Sequence, residues 1–250
     1  MQTNFKMTTL FSMIFGLTVL FSCGEEEIIN PNNDPVVDIT KIMPLGASRV
    51  QGARPNFESY RYELWKDLVD GGYTFDFIGT VDDDASYPQY NGLDFDQDHE
   101  GRGGWTSGLI LLNIEDWLEE AGSPDIVLFS SPGGNDALMG LPYNEAIDNI
   151  NKIIDAIQQK NPNVTIVIEQ MAPGRSELMT EGLNDYFLQM QKDVLDIASA
   201  QSTSASSVIA VDMFTGFSDD MLADNVHYNE EGASFIADRY YDVLQGVLEK

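Results

Sequence analysis

The chain holds two histidines, His99 and His227, and the second closes the run Asp224-Asn225-Val226-His227. An Asp three residues before a His can share its loop, hold one imidazole nitrogen and leave the other free as a base. Such a base serves a nucleophile, and serine is one it commonly activates. Ser48, in Gly46-Ala47-Ser48, is the candidate. Small residues before it let the chain turn sharply and present a hydroxyl, although serine at such a junction can equally be a helix cap. Gly133-Gly134-Asn135-Asp136 adds an amide side chain just after an apolar run. These residue types together point to nucleophilic catalysis by a serine. The chain has no Gly-x-Ser-x-Gly elbow, which argues against an α/β-hydrolase.

The elements that must position these groups alternate. Ile39 to Leu45 reads as a strand, Asn56 to Asp70 as a helix stopped by Gly71-Gly72, and Tyr73 to Val81 as a second strand. Ile110 to Ala121 reads as a helix and Asp125 to Ser130 as a buried strand. Asn144 to Gln159 carries Ile147, Ile150, Ile154 and Ile157 at helical spacing. Val164 to Glu169 and Ser207 to Val211 read as strands, Met179 to Ala200 and Glu231 to Leu248 as helices. This rhythm implies an α/β fold: a parallel sheet of about five strands with helices on both faces. In such sheets ligands bind at the carboxyl ends of the strands, where Ser48, Asn135 and the Asp224–His227 loop would meet.

Residues 82–104 break the rhythm as a long acidic and aromatic loop, of a length often tied to function. Asp94, Asp96, Asp98 and Glu100 alternate like part of a calcium loop. However, His99 stands at the sixth position where glycine is needed, and Trp105 at the twelfth where glutamate is needed. A solvated acidic loop, with no metal, is the expectation. The acidic neighbours of His99 are expected to keep it charged, a poor state for a base. Trp117 falls at core spacing, whereas Trp105 is a candidate sugar-stacking ring. Arg49 either braces the loop around Ser48 or contacts substrate. Glu169 reads as a strand-end carboxylate, and Asp136 as a brace for the asparagine turn.

The formal net charge of −28 repels nucleic acid and anionic surfaces, and favours neutral substrates. One cysteine, Cys23, leaves no intrachain disulfide. It ends an apolar run, Met7 to Phe21, that is too short for a confident membrane span. Leu20-Phe21-Ser22-Cys23 resembles a bacterial lipoprotein signal, which implies lipidation of Cys23 and attachment to the cell envelope, at the outer membrane. Gly24-Glu25-Glu26-Glu27 and the Asn/Pro-containing residues after it read as a tether. An acidic run placed there accompanies outward surface export in some bacterial groups. The expected organisation is a signal at 1–22, a tether at 23–38 and one domain at 39–250. The domain's ~210 residues suffice for a single buried core. It is expected to act as a monomer and to touch the membrane only through its anchor.

Ile42 to Ser48, Gly101-Arg102-Gly103-Gly104-Trp105-Thr106, Gly133 to Asp136 and Asp224 to His227 resemble, in order, the four blocks of the SGNH (GDSL-type) hydrolase family. The likeness spans 39 to about 245. It implies a three-layer flavodoxin-like fold and a serine esterase that needs no cofactor. It also implies that Ser48, Asp224 and His227 are catalytic, with Ser48 and Gly104 N–H groups and the Asn135 amide as oxyanion donors. Arg49 and Trp105 are the candidate substrate contacts. Tyr73 to Gly79, with Asp98-His99-Glu100-Gly101 and Gly104-Trp105-Thr106, resembles carbohydrate esterases that remove acetyl groups from polysaccharides such as xylan. Ala47 departs from the family, which usually has Asp there to brace the nucleophile loop. That departure leaves a non-catalytic glycan-binding protein as an alternative, beside a lipase, a thioesterase or an O-acetyltransferase of the same family.

Overall fold

The computed structural model describes residues 39–83 and 85–249. The signal, Cys23 and the tether lie outside them. Among the described residues the elements run β1 (Thr40–Gly46), α1 (Ser48–Gln51), α2 (Arg61–Gly71), β2 (Phe75–Phe77), β3 (Glu100–Gly101), α3 (Ser107–Glu120), β4 (Ile126–Phe129) and α4 (Gly134–Leu138). They continue α5 (Tyr143–Lys160), β5 (Thr165–Gln170), α6 (Glu181–Gln201), β6 (Val208–Asp212), a 3₁₀ turn (Asp219–Met221) and α7 (Glu230–Leu244).

The strands form one parallel sheet in the order β2-β1-β4-β5-β6. β3 joins β1 beyond the end of β2, with Leu45 opposite Glu100 and Gly46 opposite Gly101. Without the two-residue β3, this is the flavodoxin-like order. The strands are apolar throughout because both faces are covered. Met43, Leu45, Val127, Phe129, Ile166 and Ile168 face one core with α3, α5 and α6. Their alternating neighbours Ile42, Ile126, Leu128 and Val167 face the other with α2 and α7. α5 shows how the pattern stabilises the layers. Ile150, Ile153, Ile154 and Ile157 are fully buried, and each such side chain contributes about 1.5–3 kcal/mol by leaving water.

Helix ends follow from local chemistry. The Thr106, Thr180 and Asn229 side chains accept from the N–H groups of Leu109, Leu183 and Gly232, capping α3, α6 and α7. Gly72 ends α2 in the left-handed conformation. Two elements depart most from the predicted boundaries. The helix expected from Asn56 begins at Arg61, because the segment before it pairs elsewhere: the Glu58 N–H donates to the Tyr228 carbonyl at 2.9 Å. The second strand shrinks to Phe75–Phe77, and the chain pairs again at Val81–His99 before β3. No helix of the described residues is long and apolar enough to cross a membrane.

Candidate active site

The carboxyl ends of β1 and β4 and the loop before α7 converge as the sequence pattern requires. β1 ends at Gly46, where an added Cβ would lie 2.8 Å from the Val50 side chain and 2.9 Å from the Ser130 carbonyl. Only glycine lets the chain turn there into α1, and the turn delivers Ser48 at the helix's first position. Ser48 Oγ lies 2.9 Å from His227 Nε2, and His227 Nδ1 lies 2.7 Å from Asp224 Oδ2. The other Asp224 oxygen accepts the N–H groups of Val226 (2.8 Å) and His227 (2.7 Å), so one carboxylate shapes the loop and holds the ring. Burial raises the Asp224 carboxyl, but the His227 ring and these N–H groups outweigh it and hold the group below its ordinary range.

The His227 loop is fixed from three sides. Arg175 donates to the carbonyls of Asp224 (3.1 Å) and Leu222 (2.8 Å). Arg49 Nε donates to the Val226 carbonyl at 2.9 Å. The Phe57 ring stacks on the imidazole, with centroids 3.9 Å apart and planes 14° from parallel.

Arg49 itself is buried. Its remaining guanidinium nitrogens donate to the Ala172 (2.8 Å) and Pro173 (3.0 Å) carbonyls and to Ser131 Oγ (3.4 Å). Four of its five N–H donors are committed to protein. Of the two readings open for Arg49, bracing is the one its contacts describe, and the residue also lines the pocket beside Ser48.

Three donors in these segments lack a full set of partners. The Ser48 and Gly104 N–H groups make no hydrogen bond among the described residues. The Asn135 amide gives one N–H to the Trp105 carbonyl at 2.7 Å and keeps the second. The Gly103–Gly104 turn abuts the nucleophile: the Gly103 N–H donates to Gln51 Oε1 at 2.7 Å, and a Cβ on Gly103 would sit 3.9 Å from that of Ser48. Asp136, as expected, braces the asparagine turn. It accepts the Ser107 N–H (2.8 Å) and hydroxyl (2.7 Å) at the start of α3.

Beside Ser48 opens a small pocket of about 30 Å³, its wall including Leu138, Met171, Leu178, Met179 and Phe187. Trp105 is not part of that wall. Its ring, half-buried, packs on Trp117 (centroids 5.2 Å) under the Arg102 guanidinium, and its carbonyl accepts the Asn135 amide.

The acidic loop is corrected in part. It is solvated at Asp82, Asp94 and Asp98 but folded onto protein partners at Asp83, Asp96 and Glu100. Asp83 makes a two-oxygen pair with Arg61 (2.7 and 2.8 Å), accepts the Tyr87 hydroxyl (2.6 Å) and meets His99 Nε2 (3.1 Å). Glu100, fully buried, pairs with Arg102, and Asp96 accepts the Phe77 N–H at 2.7 Å. Among the described residues no cluster of His, Cys, Asp and Glu is arranged to hold a metal ion. His99 is not kept charged. Burial outweighs Asp83 and lowers its pKa to about 4.

A family model described as GDSL-like lipase/acylhydrolase matches residues 68–234. The chain belongs to that family. It is an SGNH-type carboxylic ester hydrolase with the α/β three-layer fold of its structural neighbours. Solved structures similar to this acylhydrolase include an acetyl esterase mutant with acetate ion (28% identity, TM-score 0.72, covering 84% of this chain and 98% of that one). A carbohydrate esterase family 3 protein from Talaromyces cellulolyticus gives the same four values. A family 3 carbohydrate esterase from Clostridium thermocellum matches at 28% identity and TM-score 0.67, over 85% of this chain and all of that one. No curated protein sequence matches significantly.

Phe57, Ser131 and Glu169 belong to the acylhydrolase site or its support, and sequence spacing gave no role to Phe57 or Ser131. Phe57 sits in a stretch whose apolar residues read as a helix start. Ser131 matters through a left-handed backbone (φ 48°), which no composition signal marks.

Proposed function

We propose that this acylhydrolase removes O-acyl groups, chiefly O-acetyl, from a polysaccharide through a serine acyl-enzyme. The observation that carries the reading is the line Ser48 Oγ–His227 Nε2 (2.9 Å) and His227 Nδ1–Asp224 Oδ2 (2.7 Å). The family match begins after Ser48, so the nucleophile's assignment rests on this geometry. Ser48 attacks the ester carbonyl while His227 accepts its proton and then gives it to the leaving sugar hydroxyl. Asp224 holds the ring in the tautomer that leaves Nε2 as acceptor and stabilises the imidazolium. The Ser48 and Gly104 N–H groups and the spare Asn135 N–H surround the developing oxyanion, each worth about 2.7–4 kcal/mol. Water, deprotonated by His227, then releases the acid. Every step uses side chains and backbone of this chain alone.

Two observations support acetyl. Three neighbours at 28% identity carry acetyl-esterase or carbohydrate-esterase names. The pocket, about 30 Å³, is only about twice to three times what one water needs. Its apolar lining, with Met171 and Met179, is the feature that favours a lipase or thioesterase acting on longer chains. Its size favours the short acyl group.

The test is hydrolysis of p-nitrophenyl acetate, butyrate and octanoate, and release of acetate from acetylated xylan, by the purified chain beside Ser48→Ala and His227→Ala. Activity that falls with chain length and vanishes in both variants is expected. Wild type no faster than Ser48→Ala on every ester would leave a glycan-binding role instead. The anchor remains part of the proposal on sequence grounds. Cys23→Ser is expected to move the protein from the membrane to the soluble fraction, and retention in the membrane fraction would refute lipidation.

A further inference from the structure

Glu169 stands near the end of β5, wholly buried, with its carboxylate under the site rather than in it. Oε2 accepts the Ser131 N–H at 2.6 Å and the Ser131 hydroxyl at 3.2 Å, while Oε1 accepts the Tyr240 hydroxyl at 2.8 Å. Ser131 is one of two non-glycine residues in the described chain with a positive φ. It begins the turn that leads through Gly133 to Asn135 on α4. Ser131 Oγ also receives Arg49 Nη1, and Arg49 is the residue after Ser48 and holds the His227 loop through Val226. Tyr240 lies on α7, the helix that follows that loop. One buried carboxylate therefore touches or reaches three segments: the turn that sets Asn135, the helix that carries Ser48, and the helix after His227. Ala47, next to the nucleophile, brings no polar side chain to this junction.

A carboxylate buried this completely is costly unless its oxygens meet donors and a counter-charge. Glu169 has three donors, with the Arg49 guanidinium beyond Ser131. Burial holds its carboxyl above the ordinary carboxylate range, although the Tyr240 hydroxyl, the Ser131 N–H and the Arg49 charge oppose that. Backbone in the left-handed region persists at a non-glycine residue only where its surroundings over-determine it, and the two contacts from Ser131 to one oxygen do so.

We propose that Glu169 is a positioning residue for ester hydrolysis: with Arg49 and Ser131 it forms a buried hydrogen-bonded tie that sets Asn135 and Ser48 relative to each other. The proposal rests on the serine-esterase reading of the site. Glu169 touches no substrate. It acts through Ser131 on the oxyanion donor and through Arg49 on the nucleophile helix, so it serves the transition state more than substrate binding. Glu169→Gln keeps the shape but replaces one acceptor oxygen with a donor nitrogen and removes the charge that faces Arg49.

The experiment compares full-length wild type, Glu169→Gln, Arg49→Met, the double variant and Ser48→Ala on p-nitrophenyl acetate. Affinity for phenylboronic acid, whose serine adduct places oxygen among the oxyanion donors, is measured in parallel. Displacements well under an ångström at reacting groups cost roughly tenfold or more in rate. Glu169→Gln is therefore expected to lower kcat at least about tenfold with KM within about twofold, and boronate affinity is expected to fall with kcat/KM. Arg49→Met should do the same. The double variant should be no slower than the slower single variant, because both cut one tie. A cooperatively melting Glu169→Gln with wild-type kcat and boronate affinity would overturn the inference, as would single-variant losses that multiply in the double. If Glu169→Gln does not fold, Ser131→Ala decides, since it keeps the backbone N–H on the carboxylate and removes only the hydroxyl link. Reduced kcat at unchanged KM supports the tie, and wild-type kinetics refutes it. Wild type no faster than Ser48→Ala would overturn the esterase reading itself, and this inference with it.

Discussion

The Phe57 ring lies flat against the imidazole of His227, with centroids 3.9 Å apart and planes 14° from parallel. The contact covers one face of the base and restricts its rotation about the Asp224 hydrogen bond. Neither its neighbours Pro55 and Asn56 nor its spacing marks Phe57 as part of the site. Stacked aromatic pairs contribute about 0.5–1.5 kcal/mol beyond area burial. Phe57→Ala is therefore expected to lower kcat/KM on p-nitrophenyl acetate by roughly two- to tenfold, with Phe57→Tyr close to wild type. A loss beyond a hundredfold would mean that Phe57 also shapes the loop that carries Ser48.

Asp224 uses both oxygens, one for the His227 ring and one for two backbone N–H groups. Asp224→Asn keeps an oxygen for the backbone and turns an amide donor toward His227 Nδ1. The ring must then present Nδ1 as acceptor and carry its proton on Nε2, the wrong tautomer to deprotonate Ser48. In the serine protease triad the same change costs about 10⁴ in kcat. A comparable fall is expected here, with the fold intact by circular dichroism. A fall of less than tenfold would show that Asp224 only shapes the loop.

His99 gives a prediction about stability rather than rate. Burial lowers its pKa from 6.5 to about 4 against the opposing pull of Asp83, and Arg61 and Arg102 add to the lowering. A histidine depressed in the folded state binds its proton more readily when unfolded. Its contribution is full above 6.5 and is lost as pH falls toward 4. Asp67 and Asp96, both pushed up to about 6 chiefly by burial, run the other way, so the whole-protein curve need not fall. The difference between wild type and His99→Gln isolates the effect. The gap in Tm should shrink steadily between pH 6.5 and 4, and a gap that is constant or widens over that window would contradict a buried neutral His99.

Much of this was legible in the chain. The alternation of apolar runs gave the parallel sheet because strands covered on both faces must be apolar throughout, as Ile126 to Phe129 are. The order Gly46-Ala47-Ser48, Gly133 to Asp136 and Asp224 to His227 gave the residues that the fold brings together, since each follows a strand or precedes the last helix. What stayed hidden depends on three-dimensional partners. The charge state of His99 followed from burial among Asp83, Arg61 and Arg102, whereas its sequence neighbours Asp98 and Glu100 suggested the reverse. The work of Arg49 and Glu169 appears only once β1, β4, β5 and α7 lie side by side, because their contacts join residues 38 to 177 positions apart. The packing of Trp105 on Trp117 likewise joins two segments that spacing alone does not place together.

The acyl pocket yields the last prediction. Leu138 forms part of its wall and is 39% exposed, so its truncation opens the pocket without cutting into the main core. In a pocket of about 30 Å³, the two further methylenes of butyrate are expected to crowd Leu138. One methylene more or less in a fitted apolar pocket is worth about 1–3 kcal/mol. Leu138→Ala is expected to raise kcat/KM for p-nitrophenyl butyrate relative to acetate by about ten- to a hundredfold. Acetate itself should change little, because its methyl group does not need the space that Leu138 vacates. The ratio of the two esters is the measurement, since it cancels any general loss of active protein. An unchanged ratio would place the acyl group outside this pocket and would remove the size argument for acetyl.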